Sequence, residues 1–99
     1  MNLNQYAAPI EWPVHAASPR VLIVDHDVRY LRLIEIELQN NLYETLTAQN
    51  AAEAVALAAQ EPFDLILLEF SLPDERGDQV CRQIRDFSQV PIIMLMASG

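Results

Sequence analysis

Three short runs of uninterrupted apolar residues constrain this chain most: VLIV at 21–24, LILL at 65–68 and IIML inside PIIMLM at 91–96. A strand with one wet face alternates apolar and polar residues, whereas a strand covered on both faces reads as a continuous apolar run. A fourth segment, YETLTA at 43–48, alternates well enough to be a strand of the same sheet. Helical patterns fill the intervals. Val28, Leu31, Ile34 and Leu38 form one stripe in the segment from Val28 to Asn40, with Asp27 placed to cap it. The Ala-rich AAEAVALAAQ follows Asn50, has Glu53 in the capping-box position and is stopped by Pro62. Val80, Ile84 and Phe87 give a third apolar face, and Cys81 beside it suits packing. The order β-α-β-α-β-α-β predicts an α/β fold, a doubly wound parallel sheet with right-handed crossovers.

Residues 1–19 have a different character. Pro9, Pro13 and Pro19 interrupt any regular element, so an irregular arm is expected before a domain spanning 20–99. The arm is either a disordered leader or a docking segment using Tyr6, Ile10 and Trp12, and His15 has no partner ligands around it. The 99 residues carry a net charge of −8, and every basic residue is Arg. That balance opposes general nucleic-acid binding, which needs a basic surface. No apolar run approaches the ~20 residues of a membrane span. One cysteine and no secretory pattern fit a reducing, cytoplasmic setting.

Chemistry is expected at one edge of the sheet. In doubly wound folds the site lies beyond the carboxyl ends of the strands, where strand order reverses. Asp25, His26 and Asp27 leave the first strand there, and Glu69 ends the third, before a loop containing Pro73 and Gly77. Strands about 4.8 Å apart bring these acids together. Crowded carboxylates raise one another's pKa, and a hard cation such as Mg²⁺ relieves the repulsion. The alternative is a set of solvated strand ends with no chemistry.

RVLIVDHD, YETLTAQNAAEAVALAA, PFDLILLEFSLPDERGDQVCRQIR and VPIIMLMA together resemble the receiver domain of bacterial two-component response regulators, a flavodoxin-like (CheY-like) fold. The resemblance runs from Arg20 to Gly99 and covers the first four of the family's five β-α units. It implies strand order 2-1-3-4-5 with the site between strands 1 and 3. It also implies a mechanism in which an Asp at the tip of strand 3 accepts a phosphoryl group from a histidine kinase. Two acids after strand 1, and a carbonyl two residues past the acceptor, hold Mg²⁺. A Thr or Ser after strand 4 and a Lys after strand 5 contact the phosphoryl oxygens.

Carried over by position, the acceptor place holds Glu69, the acid pair reads Asp25 and His26, and Asp27 stands one step further on. Ser71 falls where the carbonyl is supplied, so Asp25, Glu69 and the Ser71 backbone are the metal-ligand positions the resemblance implies. Met96 takes the Thr/Ser switch position, and the chain has no Lys. Glu extends the carboxylate by about 1.5 Å, where about 1 Å of misplacement can cost 100-fold. His26 suits Mg²⁺ poorly, since Mg²⁺ prefers oxygen. Arg29 and Arg76 are the nearby basic groups.

These departures predict a degenerate receiver, not an enzyme, that acts through protein contacts with a histidine kinase or output protein. Self-association through the exposed edge of strand 4 is a further expectation. A working phosphoacceptor using Asp74 or Asp25, and a structural or oligomerisation remnant of a longer regulator, are the competing readings. Leu42 precedes Tyr43 where the family often has Gly, so Asn41 is expected to take any left-handed conformation at that turn.

Overall fold

The computed structural model describes residues 18–96. The expectations placed on Tyr6, Ile10, Trp12 and His15 fall outside that range. Four strands and three helices alternate: β1 (Arg20–Val24), α1 (Val28–Asn40), β2 (Glu44–Ala48), α2 (Ala51–Gln60), β3 (Leu65–Glu69), α3 (Gly77–Arg85) and β4 (Ile92–Leu95). All pairings are parallel, in the order β2-β1-β3-β4. This is the doubly wound, CheY-like arrangement read from the sequence.

Register sorts the apolar runs onto two faces. Val21 pairs with Leu65, Ile23 with Leu67, and Leu67 with Ile93, so these share one face. Leu22, Val24, Ile66, Leu68, Ile92 and Met94 share the other. There they pack with Ala51 and Ala54 of α2 and Val80 and Ile84 of α3 into the larger core. On the first face, among the described residues, the cover comes from α1 through Leu31, Ile34 and Leu38. Leu22, Ile23, Ile66 and Leu68 are fully buried, and truncating any of them to Ala would cost about 2–5 kcal/mol.

Helix ends follow the expected chemistry in two cases. The Asp27 side chain accepts from the Arg29 N–H and caps α1, and Asn50 accepts from the Glu53 N–H and caps α2. Glu53 reaches back to the Gln49 N–H, one residue before the capping residue. The Ala-rich first turn of α2 has a further support: Asp74, from the loop after β3, accepts from Ala51 N–H at 2.8 Å and Ala52 N–H at 3.0 Å.

Four local expectations need correction. Leu42, not Asn41, has the left-handed conformation, with φ 68° against −104° at Asn41. The Leu42 N–H donates to Gln39 O and the Tyr43 N–H to Leu38 O, the paired bonds of a Schellman motif. That motif puts the positive φ on the second residue after α1, while the Asn41 side chain turns back to donate to Glu37 O. Tyr43 precedes β2, because its N–H is committed to this helix end. Val28 opens α1 at its loop end and is exposed, so the buried stripe starts at Leu31. Phe87 lies beyond α3 and is exposed; Arg85 there draws the chain away by donating to the Ser88 and Val90 carbonyls.

Candidate functional site

The carboxyl ends of β1 and β3 are neighbours, and the connections from them leave for opposite faces of the sheet. Asp25 follows β1 directly, held by its N–H to Ala48 O at 3.1 Å. Its side chain is almost fully buried, and its Oδ1 accepts from the Asp27 N–H at 2.8 Å. Glu69, the last residue of β3, has a largely buried side chain. An open pocket of about 320 Å³ there is lined by Asp25, His26, Asp27, Tyr30, Glu69, Leu95 and Met96. A larger groove, of about 610 Å³, lies among Ala58, Phe63, Ile66, Phe87 and Val90 at the opposite end of the strands, away from the acids.

His26 dominates the local geometry. Its backbone N–H donates to Glu69 Oε2 at 2.9 Å, and its Nδ1 lies 2.8 Å from both Glu69 oxygens. Nδ1 is also 3.7 Å from Asp25 Oδ1. With a carboxylate as acceptor, Nδ1 carries the proton. The bond to Glu69 and its charge push the His26 pKa up, with smaller help from Asp25 and Asp27. Asp25 is also raised, first by burial, then by the charge of Glu69 and its bond to that residue, against the lowering effect of the Asp27 N–H. Asp27 is held below the usual carboxylate range by Arg29, through its N–H and its side chain.

Asp25, His26 and Glu69 each bring one ligand atom within 4.8 Å of the others. The donor set does not fit Mg²⁺, which needs oxygen ligands in near-ideal octahedral geometry. Here an imidazole occupies the middle of the group, and both Glu69 oxygens already accept from it.

The remaining expected positions are spread around this centre. Ser71 is exposed and pairs with Arg76 in an isolated antiparallel bridge. Met96 lines the pocket and is exposed. Pro73 lies in the loop. Gly77 starts α3 against the back of Glu69: a Cβ there would sit 2.7 Å from Glu69 O, 2.7 Å from Met94 Sδ and 2.9 Å from Phe70 Cα. Arg29 sits with Asp27 at 3.5 Å, and Arg76 with Asp78 at 2.8 Å.

Sequence reasoning missed Tyr30 and, for Asp74, named above as a competing acceptor, the contact it makes with α2. Tyr30 joins the pocket from the first turn of α1, which its spacing from Asp27 could have indicated. Asp74 left no local signal, because its partners are more than 20 residues away in sequence.

Comparison with known proteins agrees with this fold. The family model described as "Response regulator receiver domain" matches residues 21–99. The chain is 41% identical over 80 residues to the transcriptional regulatory protein ResD of Bacillus subtilis (strain 168), covering 81% of this chain and 33% of ResD. It is 40% identical over 82 residues to SrrA of Staphylococcus aureus (strain NCTC 8325 / PS 47), covering 83% of this chain and 34% of SrrA. The chain thus spans about a third of the length of the curated relatives it matches. Among solved structures, a CheY-like receiver domain protein from Methanospirillum hungatei JF-1 superposes with TM-score 0.81 at 28% identity, over 84% of this chain and 67% of that one. Chemotaxis protein CheY4 of Vibrio cholerae gives TM-score 0.78 at 29% identity, over 84% and 72%.

Proposed function

Because the chain belongs to the response regulator receiver family, we propose that it is a degenerate receiver, one that signals through protein contacts and takes no phosphoryl group at Glu69. The observation that carries this reading is the His26 imidazole, whose Nδ1 lies 2.8 Å from both oxygens of Glu69. Both Glu69 oxygens face the His26 ring, so the carboxylate is held in one orientation by its neighbour and must give up that contact to take an in-line position. The same contact sets the imidazole beside Glu69 and Asp25, and its raised pKa favours the charged form that would balance these acids. The competing acceptors are also engaged. Both Asp74 oxygens accept from α2, and the buried Asp25 accepts from Asp27.

At the switch position Met96 offers no hydroxyl to meet developing charge. Glu69 is also a poor permanent mimic of a phosphoryl group. It has one charge where phosphate has nearly two, and both of its oxygens are turned to His26. The module's partners are then a histidine kinase or an output protein that recognises its fixed surface. In the wider family the acidic site typically holds Mg²⁺; in this reading it does not.

Incubation with a small phosphodonor and Mg²⁺, followed by intact-mass measurement, tests the proposal. The unmodified mass is expected. A stoichiometric, acid-stable and base-labile phosphate adduct would overturn it. Magnesium titration by calorimetry is expected to show no saturable binding, and tight binding that disappears in Asp25→Asn would count against it.

A further inference from the structure

The acid pocket occupies one end of the strands. At the other end lies the larger groove, of about 610 Å³, between the end of α2 and the segment that follows α3. Ala58 and Ala59 line it from α2, Phe87 and Val90 from beyond α3, and the fully buried Ile66 from β3. Both walls are elements of this chain, so the groove is a different feature from the open edge of β4. Its volume is in the range of ligand sites, about 300–1,000 Å³. Phe87 lines it and is still 46% exposed, which leaves apolar surface to water there.

The N-terminal arm joins the domain at this same end. Pro19 O accepts from the Glu44 N–H beside the start of β2, and Arg20 opens β1. The Arg20 side chain touches the rim of the groove. Its Nη1 donates to Pro62 O and its Nη2 to Glu61 Oε1, both at 2.9 Å, and the guanidinium lies 5.3 Å from the centre of the Phe63 ring. The groove therefore begins within one side-chain length of the point where the arm attaches. Trp12 stands eight residues before Arg20, a reach of roughly 26 Å when extended.

The arm's chemistry suits the site. Ile10 and Trp12 are apolar, and an aromatic side chain buries about 150–250 Å². In a chain of net charge −8, Glu11 is the one acid among residues 1–17, so the arm brings little like charge to an acidic domain. Pro9 and Pro13 flank the apolar pair and reduce the conformational freedom lost on docking.

We propose that this groove is the docking site of the chain's own N-terminal arm, with the Trp12 ring between the Ala59 and Phe87 walls and Ile10 beside it. The tether favours this occupant, because a short flexible linker holds a segment at about millimolar effective concentration against its own site. The rival seat at this end is Leu42, 77% exposed on the turn after α1. It is a protruding side chain that gives a ring one edge to rest on, where the groove gives two walls. The proposal is independent of the chemistry at Glu69, which lies at the other end of the strands.

Trp12 is the chain's only tryptophan, so its fluorescence reports docking directly. In the full chain its emission should lie to the blue of the urea-unfolded chain, with several-fold weaker quenching by acrylamide. Both readings should be independent of protein concentration. Phe87→Asp and Ala59→Glu are exposed changes on the two walls. Each should return emission and quenching toward the unfolded values, with circular dichroism verifying the fold. Leu42→Asp should change neither reading. Trp12→Ala should lower Tm in the wild-type background and leave that of Phe87→Asp unchanged, because the two changes remove one contact.

Three results would overturn the proposal. Emission and quenching equal to those of the unfolded chain would put Trp12 in water. A protected Trp12 that is indifferent to both wall variants, or released by Leu42→Asp, would place the arm elsewhere. Protection that fades on dilution would assign the arm to the groove of a second copy.

Discussion

Replacing Leu42 with Gly should stabilise the protein. Leu42 sits at φ 68° with its side chain exposed, at the positive-φ position of the motif that closes α1. An L-residue with a Cβ loses about 1–2 kcal/mol in that region. Gly loses none of this there, but it brings extra freedom to the unfolded chain, worth about 0.5–1 kcal/mol. Little burial is sacrificed, since the leucine is exposed. The net gain is about 0.5–1 kcal/mol, or roughly 2–8 °C in Tm for a domain of this size. Thermal unfolding should show the rise, and urea unfolding a higher midpoint at unchanged slope. Leu42→Asn should gain part of the same amount, because Asn tolerates the left-handed region. Leu42→Ala is the control: it removes the exposed side chain but keeps the Cβ, so its Tm should hardly change. An alanine variant as stable as the glycine variant would refute the reasoning, as would a glycine variant that melts lower.

The His26–Glu69 contact should give stability a signature in pH. His26 is raised in the folded state, so its contribution is fully present below the ordinary histidine value of about 6.5 and is lost as pH rises through the higher folded value. Urea midpoints between pH 5 and 9 should fall over that window, and His26→Gln should flatten the fall. Gly77→Ala should destabilise by about 1–3 kcal/mol, measured by urea unfolding, because two of the three atoms a Cβ would strike are backbone atoms. Asp74→Ala should lower Tm by several degrees by stripping two N–H partners from α2, and Asp74→Asn by less. Its depressed pKa means that the wild-type contribution is present above the usual carboxylate value and disappears as pH falls through the lower folded one.

The architecture was legible because VLIV and LILL carry their own burial signal, whereas IIML, read in the same way, leaves Ile93 exposed on the α1 face. VLIV and LILL are continuous because helices lie above and below the sheet, and register then assigns alternate residues to each face. Asp27 and Asn50 were readable as caps because capping acts within three residues. Asp25 and Glu69 were readable as neighbours because strand ends at a switch point are fixed by topology. What the sequence withheld depends on distance or on competition between local choices. Asp74 reaches across more than 20 positions to α2. His26 was seen as a poor metal ligand, but its bond to Glu69 depends on a side-chain orientation that no pattern encodes. At Asn41 and Leu42, residue preference favoured one position while the hydrogen bonds of the helix end required the other.

The reach of Asp74 has a consequence for how the molecule opens. One carboxylate joins the first turn of α2 to the loop behind Glu69, and the Gly77 N–H, donating to Phe70 O at 2.7 Å, secures the far end of that loop. The loop and the helix start therefore loosen together. Amide hydrogens of Ala51 and Ala52 should exchange with solvent in step with that of Gly77, as one cooperative unit distinct from α1 on the opposite face. A partner that grips α2 would then be felt at Glu69 without touching the acid pocket.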